Sequence, residues 1–541
     1  MYGLYIIPAL LPIFGGLVLL CVNHFSSAGK DFGKKKSLGL EAYVLGLTLI
    51  NSLVLAWLIL HFGHGQRLVL FRLFGNLTVM FCLDGMGKVF GGIIAFLWPL
   101  AVLYSFEYMR NETRKATFFS YYLMTYGVTA GIAMAGNMTT LYLFYELLTL
   151  VTFPLVLYPM TREAAQASRR YLYYSIGGAA FAFIGLVFIM SFSRSKTTEF
   201  IAGGALDLTR ALAQKNVLLF VYVLAFFGFG VKAALFPCHG WLPRATVAPT
   251  PVTALLHAVA VVKSGAFAIL RLTYFSFGTT FLRGTWAQWV VLCAAMLTIV
   301  YGSTMAVKEA HWKRRLAYST ISNLSYILMG AVMMSPLGLA AALSHMVFHA
   351  LMKICSFFCA GAVMHQTGKT HIYELDGLAK QMPLTFVCLT AASLSLVGIP
   401  GFAGFISKWN IARAAFGLGL DKALAKGEKS LSWLGFIAVA VLLYSALMTA
   451  VYMLTVVVRA CFPQICPENE NLSKKEKLQK NEYLSQNNNL SKKETRSAKK
   501  SLDPNLFMLA PLVIFAVLIL AFGIHSQPLM KLLLEIGGEA G

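Results

Sequence analysis

The chain has 541 residues, 58% of them hydrophobic and 12% charged, with a mean hydropathy of +0.69. About a quarter of the residues of a soluble globular protein are charged, so this composition excludes that class and leaves a polytopic membrane protein. The formal net charge of +23 would suit a nucleic-acid partner if it were gathered on one surface, and where the charge sits decides against that.

Apolar runs of about 20 residues, enough to cross ~30 Å of hydrocarbon, predict fourteen spanning helices. They lie near 4–24, 38–61, 78–104, 117–135, 138–159, 171–192, 217–237, 252–275, 287–307, 316–334, 337–364, 383–409, 433–461 and 504–525. The expected fold is an all-α polytopic membrane protein. The first run begins almost at Met1 without a small-residue cleavage site, so it reads as a retained helix. Loops after odd-numbered helices carry 26 Lys and Arg, and loops after even-numbered helices carry 11. The positive-inside rule then makes the odd loops cytoplasmic and puts both termini outside, in the cell inner (plasma) membrane. The excess charge is a topology signal, and no nucleic-acid partner is needed to account for it.

The nine cysteines form no C-x-x-C pair and read as small buried hydrophobes. The one long polar stretch, 468–500, is rich in Lys, Asn, Glu and Ser with little to bury, and reads as a solvated cytoplasmic loop. Binding to anionic headgroups is the weaker alternative. Two Gly/Pro-broken segments stand at corresponding places: GVKAALFPCHGWLP in the seventh helix and SLVGIPGFAGFISKW in the twelfth. Discontinuous helices in matching positions suggest an inverted repeat of helices 4–8 and 9–13 with helices 7 and 12 broken. The expected units are 1–116 (helices 1–3), 117–275 (first repeat), 287–461 (second repeat), 462–503 (basic loop) and 504–541 (last helix and tail).

Ionisable residues inside these runs are the functional candidates. An ammonium at the centre of a membrane helix costs about 2.5–3.5 kcal/mol on insertion scales, and such residues face a protein interior or a wet cavity. Glu146, in MTTLYLFYELLTLVTF, is the acid deepest in an apolar span, and Lys232 is its first-choice partner. A static salt bridge between two helices is the alternative reading. His345, His349 and Lys353 in HMVFHALMK are four apart, so they share one helix face and form a polar stripe with exchangeable protons. Proton relay is favoured over metal binding, because no Glu follows the first His as in H-E-x-x-H and no nearby carboxylate offers a third ligand. His257 and Lys263 are six apart, about 240° around a continuous helix, and so address different neighbours. Together Glu146, Lys232, Lys263, Lys353 and Lys408 would cost roughly 12–18 kcal/mol as isolated charges. A proton path gives that cost a purpose, since burial makes the proton of a lysine easier to release.

These residues carry a family resemblance. GVKAALFPCHGWLPRATVAPTPVTALLHAV, YELLTL, KRRLAYSTISNLSYI, HMVFHALMK and GIPGFAGFISKW resemble the motifs of the antiporter-like membrane subunits shared by respiratory complex I (NADH:quinone oxidoreductase), Mrp-type multisubunit sodium/proton antiporters and energy-converting membrane hydrogenases. The resemblance spans roughly helices 3 to 13. It implies that Glu146 is the family's fifth-helix glutamate and Lys232 its seventh-helix partner. It places Lys263, His345, His349 and Lys353 on the central hydrophilic axis, with Lys408 near its exit. It implies a chain with no cofactor and no bond chemistry of its own, working beside other membrane subunits and moving protons, with sodium as a second candidate ion. Any oxidoreductase activity would belong to the assembly. Arg244 after W-L-P, Asn323 where glutamine is frequent, and the basic insert before the last helix depart from the pattern. The rivals are a free-standing sodium/proton transporter and, behind it, a haem- or quinone-binding redox subunit resting on His345 and His349.

Overall fold

The computed structural model describes residues 2–26, 34–61, 66–194, 197–420, 429–462 and 501–540. The predicted basic loop 468–500 lies outside these residues. Helices α1 (Ile7–Ser26), α2 (Lys34–His61), α3 (Gly85–Tyr108), α4 (Lys115–Ala133), α5 (Met138–Leu157) and α6 (Arg162–Phe192) open the chain. Next come α7 (Leu208–Ala213), α8 (Lys215–Lys232), α9 (Trp241–Arg244), α10 (Thr250–Ala258), α11 (Val261–Leu270) and α12 (Thr279–Leu282). The second half holds α13 (Trp286–Lys308), α14 (Trp312–Val332), α15 (Pro336–Thr367), α16 (Pro383–Val397), α17 (Ala403–Gly419), α18 (Lys429–Cys461), α19 (Leu506–Ile524) and α20 (Gln527–Ala540). Among the described residues 11 helical stretches are long and apolar enough to cross a membrane. The other predicted spans fall on α4, on α14 and on the α16–α17 pair. The chain is a multi-pass membrane protein.

Local chemistry starts and stops these helices. Asp84 caps α3 by accepting from Gly87 N at 2.9 Å, and Asn137 caps α5 by accepting from Thr140 N at 2.7 Å. Ser335 caps α15, with Pro336 at its first turn and Gly368 (φ 71°) closing it.

The structure corrects two expectations. The third helix does not begin at 78, because residues 67–82 form a hairpin, β1 (Arg67–Phe74) with β2 (Leu77–Cys82), antiparallel around a Gly75–Asn76 turn. Gly75 takes φ 53°, which suits the tight turn. The eighth helix is not continuous either. Ala260 N bonds Leu255 O at 2.9 Å, a five-residue step that ends α10 and restarts the chain as α11. The expected breaks in helices 7 and 12 are present, after Lys232 and between Val397 and Ala403.

The loops sort into two ends. At one, Arg114 Nη2 donates to Tyr158 O (2.7 Å), Trp312 N to Thr370 O (3.0 Å), Gly377 N to Arg459 O (3.2 Å) and Lys313 Nζ to Ala248 O (3.0 Å). These segments all follow odd-numbered predicted helices. At the other end, Cys82 N bonds Met134 O (2.7 Å), Ala205 N bonds Ser276 O (2.9 Å) and Tyr274 Oη bonds Ser335 O (3.2 Å), joining the hairpin to the even-numbered loops. Between the ends, α10, α11 and α15 are almost wholly enclosed, and this core carries the polar groups.

Candidate functional site

Lys232 is the last residue of α8, where the helix is forced to stop. Ala234 takes φ 56° and Leu235 N turns back to Gly230 O at 2.8 Å. A non-glycine residue in the left-handed region is strained by about 1–2 kcal/mol, and such strain gathers at functional sites. The buried ammonium donates to the carbonyl of Tyr145 and lies 3.4 Å from the centre of the Tyr145 ring. Glu146 Oε1 stands 3.9 Å away, on a side chain that is 29% exposed where Lys232 is 1% exposed. The α11 helix seats directly on this break because Gly265 has no side chain. A Cβ there would come within 2.5 Å of Ala233 N.

Two residues before Gly265, Lys263 meets His349 Nδ1 through its Nζ, both groups fully buried. At this separation one proton can lie between the two nitrogens, with the donor set by the histidine's tautomer. One turn away along α15, the His345 ring is 5.7 Å from that of His349, and its Nδ1 is 2.9 Å from Ser407 Oγ. Lys353, a further turn beyond His349, donates to Ser319 Oγ at 2.6 Å and Leu316 O at 3.3 Å. Ser319 in turn lies 2.7 Å from Tyr452 Oη.

Lys408 follows Ser407 on α17 and reaches back across the break to the end of α16. Its Nζ donates to Leu396 O at 2.5 Å and Val397 O at 3.1 Å, the carbonyls left without helical partners. Tyr326 bridges the neighbouring groups: its ring is 5.3 Å from His345 and 5.2 Å from Lys408 Nζ.

The structure thus strings Lys263, His349, His345, Ser407 and Lys408 together, with Glu146–Lys232 on one flank and Lys353 on the same helix as the two histidines. His257 stands apart. Because the helix is interrupted, the 240° argument does not apply to it. Its ring packs on Phe357 with centroids 4.9 Å apart, and both nitrogens lack a hydrogen-bond partner among the described residues. Sequence reasoning missed Ser319, Ser407, Tyr145 and Tyr326. It also missed a second ionic centre. Arg271, 1% exposed, opens a π-helical turn (Arg271–Phe277) and forks onto both oxygens of Asp84, while Phe200, Phe267 and Phe275 surround its guanidinium at 4.8–5.0 Å. Among the described residues no group of three or more His, Cys, Asp and Glu could hold a metal ion.

Residues 135–427, which contain the groups from Glu146 to Lys408, match the family model described as NADH:quinone oxidoreductase/Mrp antiporter, TM. The chain belongs to this family. Among antiporter-like relatives, it is similar to NADH-quinone oxidoreductase subunit N of Desulforudis audaxviator (strain MP104C), 32% identical over 373 residues that cover 68% of this chain and 70% of the relative. It is similar also to Na(+)/H(+) antiporter subunit A1 of Staphylococcus aureus (strain Newman), 27% identical over 467 residues covering 84% of this chain. The match spans only 53% of that longer antiporter subunit. The antiporter-like fold is seen in the structure of the Mrp complex from Dietzia sp. DQ12-45-1b, which superposes with a TM-score of 0.75 at 20% identity over 99% of this chain and 97% of the other.

Proposed function

We propose that this chain is a proton-translocating antiporter-like subunit of a multisubunit membrane complex, of the NADH:quinone oxidoreductase, membrane hydrogenase or Mrp type. Family membership supports the class. The observation that carries the mechanism is the buried Lys263–His349 contact, continued through His345 and Ser407 to Lys408. Each member can give up or take a proton, and a shared charge can move along the row as the proton shifts. In this reading bridging water completes the steps longer than ~3.5 Å.

In this reading Glu146 and Lys232 form the input switch. A carboxylate close to the ammonium favours its charged form, and withdrawing the carboxylate releases the proton inward. Moving one charge against 100 mV costs about 2.3 kcal/mol, within reach of such a pair. Lys353 is the second donor on α15, and Lys408 delivers to the exit side. His257 serves as a side-station of the axis. The repeats are 117–275 and 287–461, with basic loops in the cytoplasm and both termini outside the plasma membrane. Neighbouring membrane subunits supply the driving change, sodium is the alternative ion, and the chain holds no cofactor of its own.

The test is proton translocation in inverted membrane vesicles carrying the assembled complex. Glu146→Gln and Lys232→Ala should each abolish coupled proton movement while assembly survives. Undiminished pumping in both would remove the mechanism. Transport by the isolated chain would select the free-standing transporter, and a haem-like visible spectrum of the purified chain would select the redox subunit. Identifying the subunits that co-purify distinguishes the three complex types.

A further inference from the structure

The back of α15 borders an apolar slot of about 510 Å³, within the roughly 300–1,000 Å³ of small-ligand sites. Leu60 of α2, Gly92 and Phe96 of α3, Leu351 of α15, Phe522 of α19 and Ile536 of α20 line it, and its single charged lining residue is Lys88. Along α3 the lining runs from Gly85 to Leu97, twelve helical steps or about 18 Å. That is close to one leaflet, half of the ~30 Å hydrocarbon core. Lys88 lies one turn into α3, at the end of the bundle shared with the hairpin. The amphipathic helix α20 lies over the same end, placing Ile536 on the slot and Lys531 in the open, as a helix at the headgroup level does.

We infer that this slot is a binding site for one anionic phospholipid of the leaflet on the hairpin side, its acyl chain beside Gly92 and its phosphate at Lys88. Length and charge together favour a lipid over a partner's helix. A spanning helix would need a groove across the whole hydrocarbon core, whereas this slot is one leaflet long with a cation at its headgroup end. The lipid would pack on Val347 and Leu351, which interleave along α15 with His345, His349 and Lys353 on its other face. It would thereby hold the back of the helix that carries the central axis.

The experiment uses the full chain, extracted in mild detergent from membranes of phosphatidylglycerol and phosphatidylethanolamine, with co-purifying phospholipid measured by native mass spectrometry. Phosphatidylglycerol should be enriched over its share in the membrane. Lys88→Gln, which keeps the stem and removes the charge, should lower that enrichment about fivefold, the effect of one lysine near an anionic surface. Gly92→Leu should fold, since a Cβ at Gly92 meets nothing within 4 Å, and should displace the bound lipid by filling the slot. A photoreactive residue in place of Val89 should capture lipid. Enrichment absent in the wild type, enrichment unchanged in Lys88→Gln, or capture of a polypeptide at position 89 would each overturn the assignment.

Discussion

Two glycines in the break between α16 and α17 separate the role of Lys408 from that of the backbone around it. Gly398 has φ 92° and Gly401 has φ 91°, so alanine at either site meets the same left-handed strain of about 1–2 kcal/mol. They differ in what the new methyl touches. At Gly398 a Cβ would lie 3.0 Å from Lys408 Cδ, whereas at Gly401 nothing lies within 4 Å. Gly398→Ala must therefore push the lysine stem aside and loosen Nζ from Leu396 O and Val397 O, now 2.5 and 3.1 Å away. Losing one hydrogen bond to a charged group costs about 1.5–3 kcal/mol, or roughly 10- to 150-fold in a rate that depends on it. Gly401→Ala should lose thermal stability in detergent by the backbone strain alone, and Gly398→Ala by that strain plus the loosened hydrogen bond. Only Gly398→Ala should lose proton translocation in inverted vesicles, by at least about tenfold. Equal transport in the two variants, or an equal loss in both, would show that the position of Lys408 over those carbonyls does not matter.

Three further outcomes follow from other contacts. Ser319→Ala removes the 2.6 Å partner of Lys353 and, among the described residues, leaves Leu316 O at 3.3 Å; proton translocation should fall about tenfold or more with assembly intact, and normal transport would take Lys353 out of the path. Asp84→Asn leaves Arg271 buried without its counter-charge, which should destabilise the chain by about 3 kcal/mol, read as a lower unfolding temperature in detergent. His311, in the turn before α14, is lowered to about 4 by burial and by the charges of Arg314 and Lys313. The unfolded chain therefore binds a proton there that the folded chain refuses, so stability is full above pH ~6.5 and falls as the pH drops toward 4. After allowance for solvent screening of the part-exposed ring the loss is about 1–2 kcal/mol. In His311→Gln that stretch of the stability profile should flatten, and an unchanged slope would place the acid sensitivity elsewhere.

What the sequence displayed and what it hid divide along physical lines. Lysines and a glutamate inside apolar runs are visible because the cost of burying them has no cheap structural explanation. The breaks in helices 7 and 12 are visible because glycine and proline mark them. The interruption between α10 and α11 is not, because it falls at Val259 and Ala260, residues with no turn signal, and is made by one five-residue hydrogen bond. The hairpin was hidden for a related reason: β2 runs almost directly into the apolar start of α3 and reads as one long hydrophobic stretch. The hydroxyl partners were hidden by ambiguity. A serine in a membrane helix commonly satisfies itself on the carbonyl four residues back, as Ser264 does on Ala260 O and Ser356 on Met352 O, both at 2.7 Å. Nothing in their type sets Ser319 and Ser407 apart from these.

The partners the lysines do have explain how so few acids suffice. Only Glu146 stands within salt-bridge distance of any of Lys232, Lys263, Lys353 and Lys408 among the described residues. The others are held by dipoles. Lys408 rests on the open carbonyls at the end of α16, Lys353 on Leu316 O and a serine, Lys263 on an imidazole, and even Lys232 donates first to the Tyr145 carbonyl. A carboxylate beside each ammonium would favour its charged form strongly and hold the proton in place. Carbonyl, hydroxyl and imidazole partners solvate the charge without that hold, which is what the proposed proton path requires of them. The broken helices matter for this reason: ending α16 in mid-protein exposes carbonyl oxygens that a continuous helix would have used on itself, and Lys408 is placed to use them.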